Sequence, residues 1–310
     1  MQQLEIQTSD FLPLTSSERE ALLDRSAVEN RAKKFMRRFI EHKGCFIGLL
    51  LLSCIMAVAI FVPLFSPYAY DEVHLADKNS PPSLSHYLGT DDLGRDLFTR
   101  VGYGLRLSLT IGSLAAILDM CIGVTWGAIA GYIGKTCDIV MMRIAELIYS
   151  IPYLLAVILT AAVVGPGLFS ILVALCFIGW IQMARLTRIQ VLQMKQMDFI
   201  TAAHSLGVHP VRILLRHILP NISGPLLAML LLTIPQAIFA EAFLSFLGIG
   251  IQPPLASLGS MTSDALSALR FYPWRLFAPA CTITLVIFSF TLLADGLRDL
   301  LDPKEKLHVK

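Results

Sequence analysis

Between Leu147 and Ala184 the chain runs for 38 residues without an Asp, Glu, Lys, Arg or His. As one helix that stretch would be about 57 Å long at 1.5 Å per residue, against a bilayer hydrocarbon core of about 30 Å. A water-soluble globule has no place for such a run, and a single straight span is too short to use it. Gly165-Pro166-Gly167 divides the run near its middle and predicts a tight helical hairpin with two spans.

The remaining apolar segments extend the same argument. Cys45 to Phe65 is 21 residues without a charge, about 31 Å as a helix, and reads as one full crossing. Further spans fit Arg106 to Tyr132, Ile222 to about Phe243, and Leu276 to about Ala294, which brings the expected count to six. With 55% hydrophobic and 15% charged residues the composition agrees, and the fold class is an all-α polytopic membrane protein with six transmembrane helices. The 44 residues ahead of the first apolar run are too many for a cleaved signal peptide, so that run reads as an anchor that stays.

Lys and Arg set the orientation. With the N-terminus in the cytoplasm, the inside segments carry 19 of the 25 Lys and Arg and the outside segments six. The expected organisation is a cytoplasmic segment over 1–44, a first span over 45–65, an external loop over 66–105, a five-span core over 106–297 and a cytoplasmic tail over 298–310. Within the first segment Thr15 to Asp24 predicts a capped helix, and Arg31 to Arg38 is a basic run suited to an anionic membrane surface.

A polar island over 185–221 interrupts the core on the cytoplasmic side. Asp198 is placed to cap a short helix whose apolar residues Phe199, Ala202, Ala203 and Leu206 repeat at helical spacing until Gly207 stops it. Pro210 suits the first turn of a second short helix, which Pro220 is expected to close. Such a two-helix knob between spans can receive force from another protein. Gly134-Lys135-Thr136 imitates the end of a phosphate-binding loop, but the glycine that should open the motif falls on Ile129 and no strand precedes it. ATP is therefore not expected on this chain.

Charges inside the spans are few. Asp119 and Glu241 stand out as intramembrane acids, and with no Lys or Arg beside them they read as helix-to-helix polar contacts in preference to a proton relay. His204, His209 and His217 have no carboxylate or Cys at ligand spacing, and no metal site is expected. No nucleophile has an assigned base partner, so an intramembrane enzyme has no support. On the external loop Gly89, Thr90, Asp91, Asp92, Gly94, Arg95 and Asp96 form a glycine-punctuated, mixed-charge tract. It can hold itself rigid as a clasp, or receive substrate as a rim.

Several of these tracts carry a family resemblance. The island resembles the ATPase-coupling motif of bacterial binding-protein-dependent ABC importers, carried here by Ala202, Ala203, Gly207, Leu219 and Pro220. Thr201 stands where many members have Glu and His217 where many have Ile, and Arg216 lies beside them. GTDDLGRD (Gly89 to Asp96), EAFLSFLGIGIQPP (Glu241 to Pro254) and ADGLRDLLDPK (Ala294 to Lys304), in that order, are similar to the C-type permeases of oligopeptide, dipeptide and nickel importers. FYPWRLFAPA (Phe271 to Ala280) leans towards the oligopeptide branch. The resemblance implies a type I ABC importer permease fold in the bacterial cytoplasmic (inner) membrane, surrounded by lipid and without nucleic acid. It also implies a homologous permease as heterodimer partner, two ABC ATPase subunits that bind ATP and Mg, and an extracytoplasmic substrate-binding protein. This chain would hold no cofactor and catalyse no reaction. A nickel complex or a glycoconjugate remains open as substrate beside peptides, and an ion-driven secondary transporter is the rival from another class.

Overall fold

The computed structural model describes residues 31–301, Pro166 and Pro253 excepted. The expected helix over 15–24, the tail over 302–310 and the proline of the hairpin break therefore lie outside the described residues. Helix α1 (Arg31–Glu41) leads into α2 (Lys43–Phe65) through His42, whose Nδ1 accepts the Cys45 amide at 3.2 Å and caps the second helix. Helix α2 is apolar all round, and Phe46, Leu50, Phe61 and Phe65 stay exposed on it. That is the pattern of a helix that faces lipid.

Helix α3 (Leu97–Ile133) is 37 residues long and begins well before the expected Arg106. The physical reason is its cap: Asp96 accepts both the Thr99 amide and the Thr99 hydroxyl at 2.8 Å, which starts the helix inside the segment expected as loop. At Gly134 (φ +72) the chain turns into α4 (Lys135–Tyr149), so the imitation phosphate loop is a helix-to-helix corner. Ser150 and Pro152 end α4, and α5 (Tyr153–Val164) follows with only 12 residues, about 18 Å of helix.

Gly165 and Gly167, at φ +91 and +138, turn the chain into α6 (Leu168–Ile178), and α7 (Trp180–Met194) continues it through a helical Gly179. The hairpin break thus falls where the sequence places it. Its first leg, however, is the short α5. Among the described residues five helical stretches are long and apolar enough to cross a membrane: α2, α3, α6 with α7, the stretch Pro210–Phe246, and the last helix. The sixth apolar helix is α5, bounded by Pro152 before it and by Gly165 at φ +91 after it, and its 12 residues are short of a full crossing.

The knob consists of α8 (Asp198–Ser205) and α9 (Pro210–Ile213). A π-turn over Leu214–Ile218 then joins α9 to α10 (Leu219–Phe246), with the Leu219 amide bonded to the Leu214 carbonyl. This corrects two expectations. Pro220 does not close the second helix: the wider turn makes room for its ring, and Asn221 Nδ2 donates to the His217 carbonyl at 2.6 Å. Asp198 is not the cap either; Met197 holds the extended cap position and Asp198 is the first helical residue, where its charge still favours the helix dipole. Helix α11 (Leu258–Leu266), opened by a Ser257–Ser260 capping box, and α12 (Trp274–Leu301) complete the order.

The largest interface in the bundle joins α3 to α7. Gly123, Gly127 and Gly131 line it: a Cβ on them would meet the Trp180 carbonyl oxygen at 2.6 Å, the Ala184 carbonyl oxygen at 2.2 Å and the Arg188 carbonyl oxygen at 2.9 Å. Glycine every fourth residue lets the two backbones touch, and dispersion then holds helices that lipid would not drive together. A second layer buries Leu105, Leu109, Ile238, Leu258, Val286 and Phe290 between α3, α10, α11 and α12.

Candidate functional site

Helix α3 has a different candidate region at each end and one in its middle. About 54 Å of helix separates Leu97 from Ile133, so the two ends cannot share one face of a bilayer core.

At the first end lies the tract Gly89–Asp96, folded as a clasp. Asp91 Oδ1 accepts the Leu93 and Arg95 amides at 2.9 and 3.0 Å, its Oδ2 takes Arg95 Nε at 2.6 Å, and Arg100 Nε approaches at 3.5 Å. Asp96 Oδ1 lies 3.0 Å from His86 Nδ1 while its other oxygen caps α3. Thr90 Oγ1 accepts the Ser80 amide at 2.8 Å and donates to the Asp77 carbonyl. Gly94 (φ +75) must lack a side chain, because a Cβ there would fall 1.7 Å from the His74 carbonyl oxygen. Asp92 pairs with Arg275 of α12 at 3.1 Å, and Arg275 also reaches Asn79 at 3.0 Å. Nearby, the Ala69 amide and then His74 hold Glu72 below the usual carboxylate range. The charges of the tract are spent within the chain, which ties the loop to the starts of α3 and α12.

At the other end lies the knob. Gly207 (φ +72) ends α8: its amide bonds to the His204 carbonyl at 3.0 Å and the Val208 amide to the Ala203 carbonyl at 3.2 Å, a Schellman turn. Ile200, Ile213, Ile218 and Ile222 pack beneath with Met183 and Val191, and Ala203 joins them. The core face of α8 is therefore Ile200 and Ala203. The expected stripe divides, and Phe199 and Leu206 project outward, 47% and 82% exposed. Leu206, Val211 and Leu215 give the knob an apolar outer surface that the described residues do not cover. Thr201, Ala202, Gly207, Arg216 and Pro220 are exposed there too, with His217 and Leu219 half-buried.

The knob is fastened to α3 by Tyr132, whose hydroxyl lies 3.1 Å from His204 Nε2 and whose carbonyl accepts Lys195 Nζ at 2.6 Å. Arg188 adds a bidentate pair to Asp138 at 2.5 and 2.6 Å, tying α7 to α4. His209 caps α9 through the Val211 amide at 3.4 Å. The side chains of His204 and His209 thus serve the knob's own structure. Sequence reasoning passed over Tyr132, Lys195 and the Arg188–Asp138 pair, whose partners are far apart in the chain and give no spacing signal. It also passed over the glycine stripe of α3, which the four-residue spacing does announce.

The two intramembrane acids separate in the middle. Glu241 on α10 is fully buried and bridges helices, its oxygens accepting the Ser108 and Ser245 hydroxyls at 2.8 Å each. Asp119 on α3 is also buried, yet its Oδ1 has no hydrogen-bond partner among the described residues. It lines a cavity of about 560 Å³ between α3, α5, α6, α7 and α10.

Two family descriptions match this chain. Residues 123–307 match the model of binding-protein-dependent transport system inner membrane components, and residues 30–82 that of the N-terminal transmembrane domain of oligopeptide transport permease C. The chain is similar to the oligopeptide transport system permease protein OppC of Bacillus subtilis (strain 168), 49% identical over 272 residues, 88% of this chain and 89% of the relative. It is 47% identical over 269 residues to the dipeptide transport system permease protein DppC of the same organism, covering 86% of this chain and 84% of that one. The oligopeptide transport system permease protein OppC of Escherichia coli (strain K12) is 38% identical over 291 residues, 93% of this chain and 96% of the relative.

Proposed function

This chain belongs to the family of binding-protein-dependent transport system inner membrane components, as a multi-pass membrane permease, and from that membership we propose that it forms half of a peptide path driven by partner ATPases. The observation that carries the reading is the knob: a Schellman turn at Gly207 holds up an uncovered apolar surface, fastened to α3 and continuous with α10. A protein that docks there moves two spans at once. ATP closure of the motor pair displaces the knob, and the permease pair rocks between inward- and outward-facing arrangements.

In this reading the partners are a homologous permease, two ABC ATPases holding ATP and Mg, and an extracytoplasmic substrate-binding protein. The chain itself breaks no covalent bond. Both termini lie in the cytoplasm, and the ATPase-coupling loop comprises Thr201, Ala202, Ala203, Gly207, Arg216, His217, Leu219 and Pro220, with Ala203 packed inward and Leu206 on the outer surface that the ATPase meets. The clasp Gly89–Asp96 holds the external loop in place for the binding protein. Peptide substrates are favoured by the names of the relatives above, oligopeptide and dipeptide permeases.

Leu206→Arg tests the coupling surface. It places a charge on an apolar docking site and is expected to cut ATPase co-purification and peptide uptake by about tenfold or more, since a buried unpaired charge costs several kcal/mol. Membrane insertion and permease pairing should persist, as Leu206 is 82% exposed. Uptake that continues at the wild-type rate with Leu206→Arg, or that follows an ion gradient after the ATPases are inactivated, would refute the reading.

A further inference from the structure

The mechanism above leaves Asp119 unused. This carboxylate lies about 21 Å along the helix from Ile133, near mid-span, and is 3% exposed with Oδ1 unpartnered. A neutral Asn or Leu would fill the same space at less cost, so an acid held there without a partner points to a ligand that supplies one. Its seat is built for close approach: a Cβ on Gly179 would come 2.1 Å from Asp119 Oδ2.

The cavity it faces specifies the sign of that ligand. Among the described residues no Lys or Arg lines it. Gln182 and Gln236, both exposed, and the Thr233 side chain contribute neutral polar groups. Tyr153, Phe239 and Phe243 form exposed aromatic lining, while Tyr149 already carries the Arg185 guanidinium 4.5 Å above its ring. A carboxylate combined with aromatic faces recognises an ammonium group, by charge-assisted hydrogen bonds and by cation–π attraction.

We propose that Asp119 and the aromatic residues of this cavity form a binding station for a primary ammonium group of the transported substrate. The proposal rests on the peptide-importer reading and deepens it: the permease itself, and not only the binding protein, holds the positive end of the peptide while it crosses. The about 560 Å³ available accommodates an ammonium with one or two residues behind it.

The test uses the purified complex of this chain with its permease and ATPase partners, without the binding protein, so that no other subunit selects the ligand. Trialanine and N-acetyl-trialanine, which differ by the N-terminal ammonium, are titrated against it. The wild type is expected to bind trialanine about tenfold more tightly, equivalent to about 1.4 kcal/mol. Asp119→Asn should bind the two alike, and Asp119→Glu should keep the preference. N-acetyl-Ala-Lys-Ala separates the sources of the group: binding like trialanine extends the station to side-chain amines, and binding like the acetylated peptide confines it to the N-terminus. Equal binding of trialanine and N-acetyl-trialanine by the wild type overturns the proposal, and so does a preference that survives in Asp119→Asn. If the Asn variant fails to assemble, the wild-type comparison alone decides. Trialanine uptake by the complete transporter is measured beside it. Uptake without an amine preference removes the station and leaves the importer reading standing; a preference without uptake overturns the importer reading and, with it, the station's part in transport, leaving only an ammonium-binding cavity.

Discussion

Gly207 combines two facts that separate backbone from side-chain requirements. Its φ is +72, yet a Cβ placed there would touch nothing within 4 Å. Any penalty for a side chain is therefore conformational, about 1–2 kcal/mol for an ordinary L-residue in the left-handed region and less for Asn. Gly207→Asn should keep peptide uptake within about twofold of wild type, while Gly207→Val, β-branched and strained, should lower it several-fold. Both variants should reach the membrane in normal amounts, because the turn lies outside the spans. Uptake and membrane abundance measured together separate these outcomes, and equal loss in both variants would mean that the open surface, not the turn, needs the glycine.

Among the elements, the contact of α3 with α7 reverses a usual sign. Replacing a mid-helix glycine by alanine normally stabilises by about 0.5–1 kcal/mol. At Gly127 the new methyl would sit 2.2 Å from the Ala184 carbonyl oxygen, a backbone atom that cannot turn aside. Gly127→Ala should accordingly destabilise by about 1–3 kcal/mol, as overpacking does, and lower the thermal midpoint of the detergent-solubilised complex by several degrees. The spans themselves were legible in the sequence, because a run such as Cys45 to Phe65 can satisfy its backbone in lipid only as a helix. The stop at Gly207 was legible for a similarly local reason. Pro220 misled, since its local signal is a helix end, and only the π-turn before it reveals that the helix continues. The face of α8 misled differently: a helix that packs on its own bundle through Ile200 and offers Phe199 and Leu206 outward is apolar on two sides, and periodicity does not tell which side is core. Asp119 and Glu241 read alike as intramembrane acids; Ser245, four residues on along the same helix, is a partner for Glu241 that the sequence shows, while Ser108 reaches it only through tertiary packing.

For the whole molecule, the clasp and the knob at opposite ends of α3 invite a direct test of sidedness. In a cysteine-free background, Gln196→Cys near the knob should resist an impermeant maleimide in intact cells, and Lys78→Cys near the clasp should react, as the excess of Lys and Arg on the knob side requires. Equal labelling of both would refute the orientation. The π-turn carries a further consequence for the molecule as a machine. A turn that closes i to i+5 spends one residue more than an α-turn, and in a helix of 3.6 residues each residue is roughly 100° of azimuth. Leu214–Ile218 therefore acts as a phase plate between the knob and the wall of the Asp119 cavity, to which Thr233 and Gln236 belong. It fixes the compass bearing on which α9 leaves the bundle, and with it the direction in which a push from outside becomes rotation within.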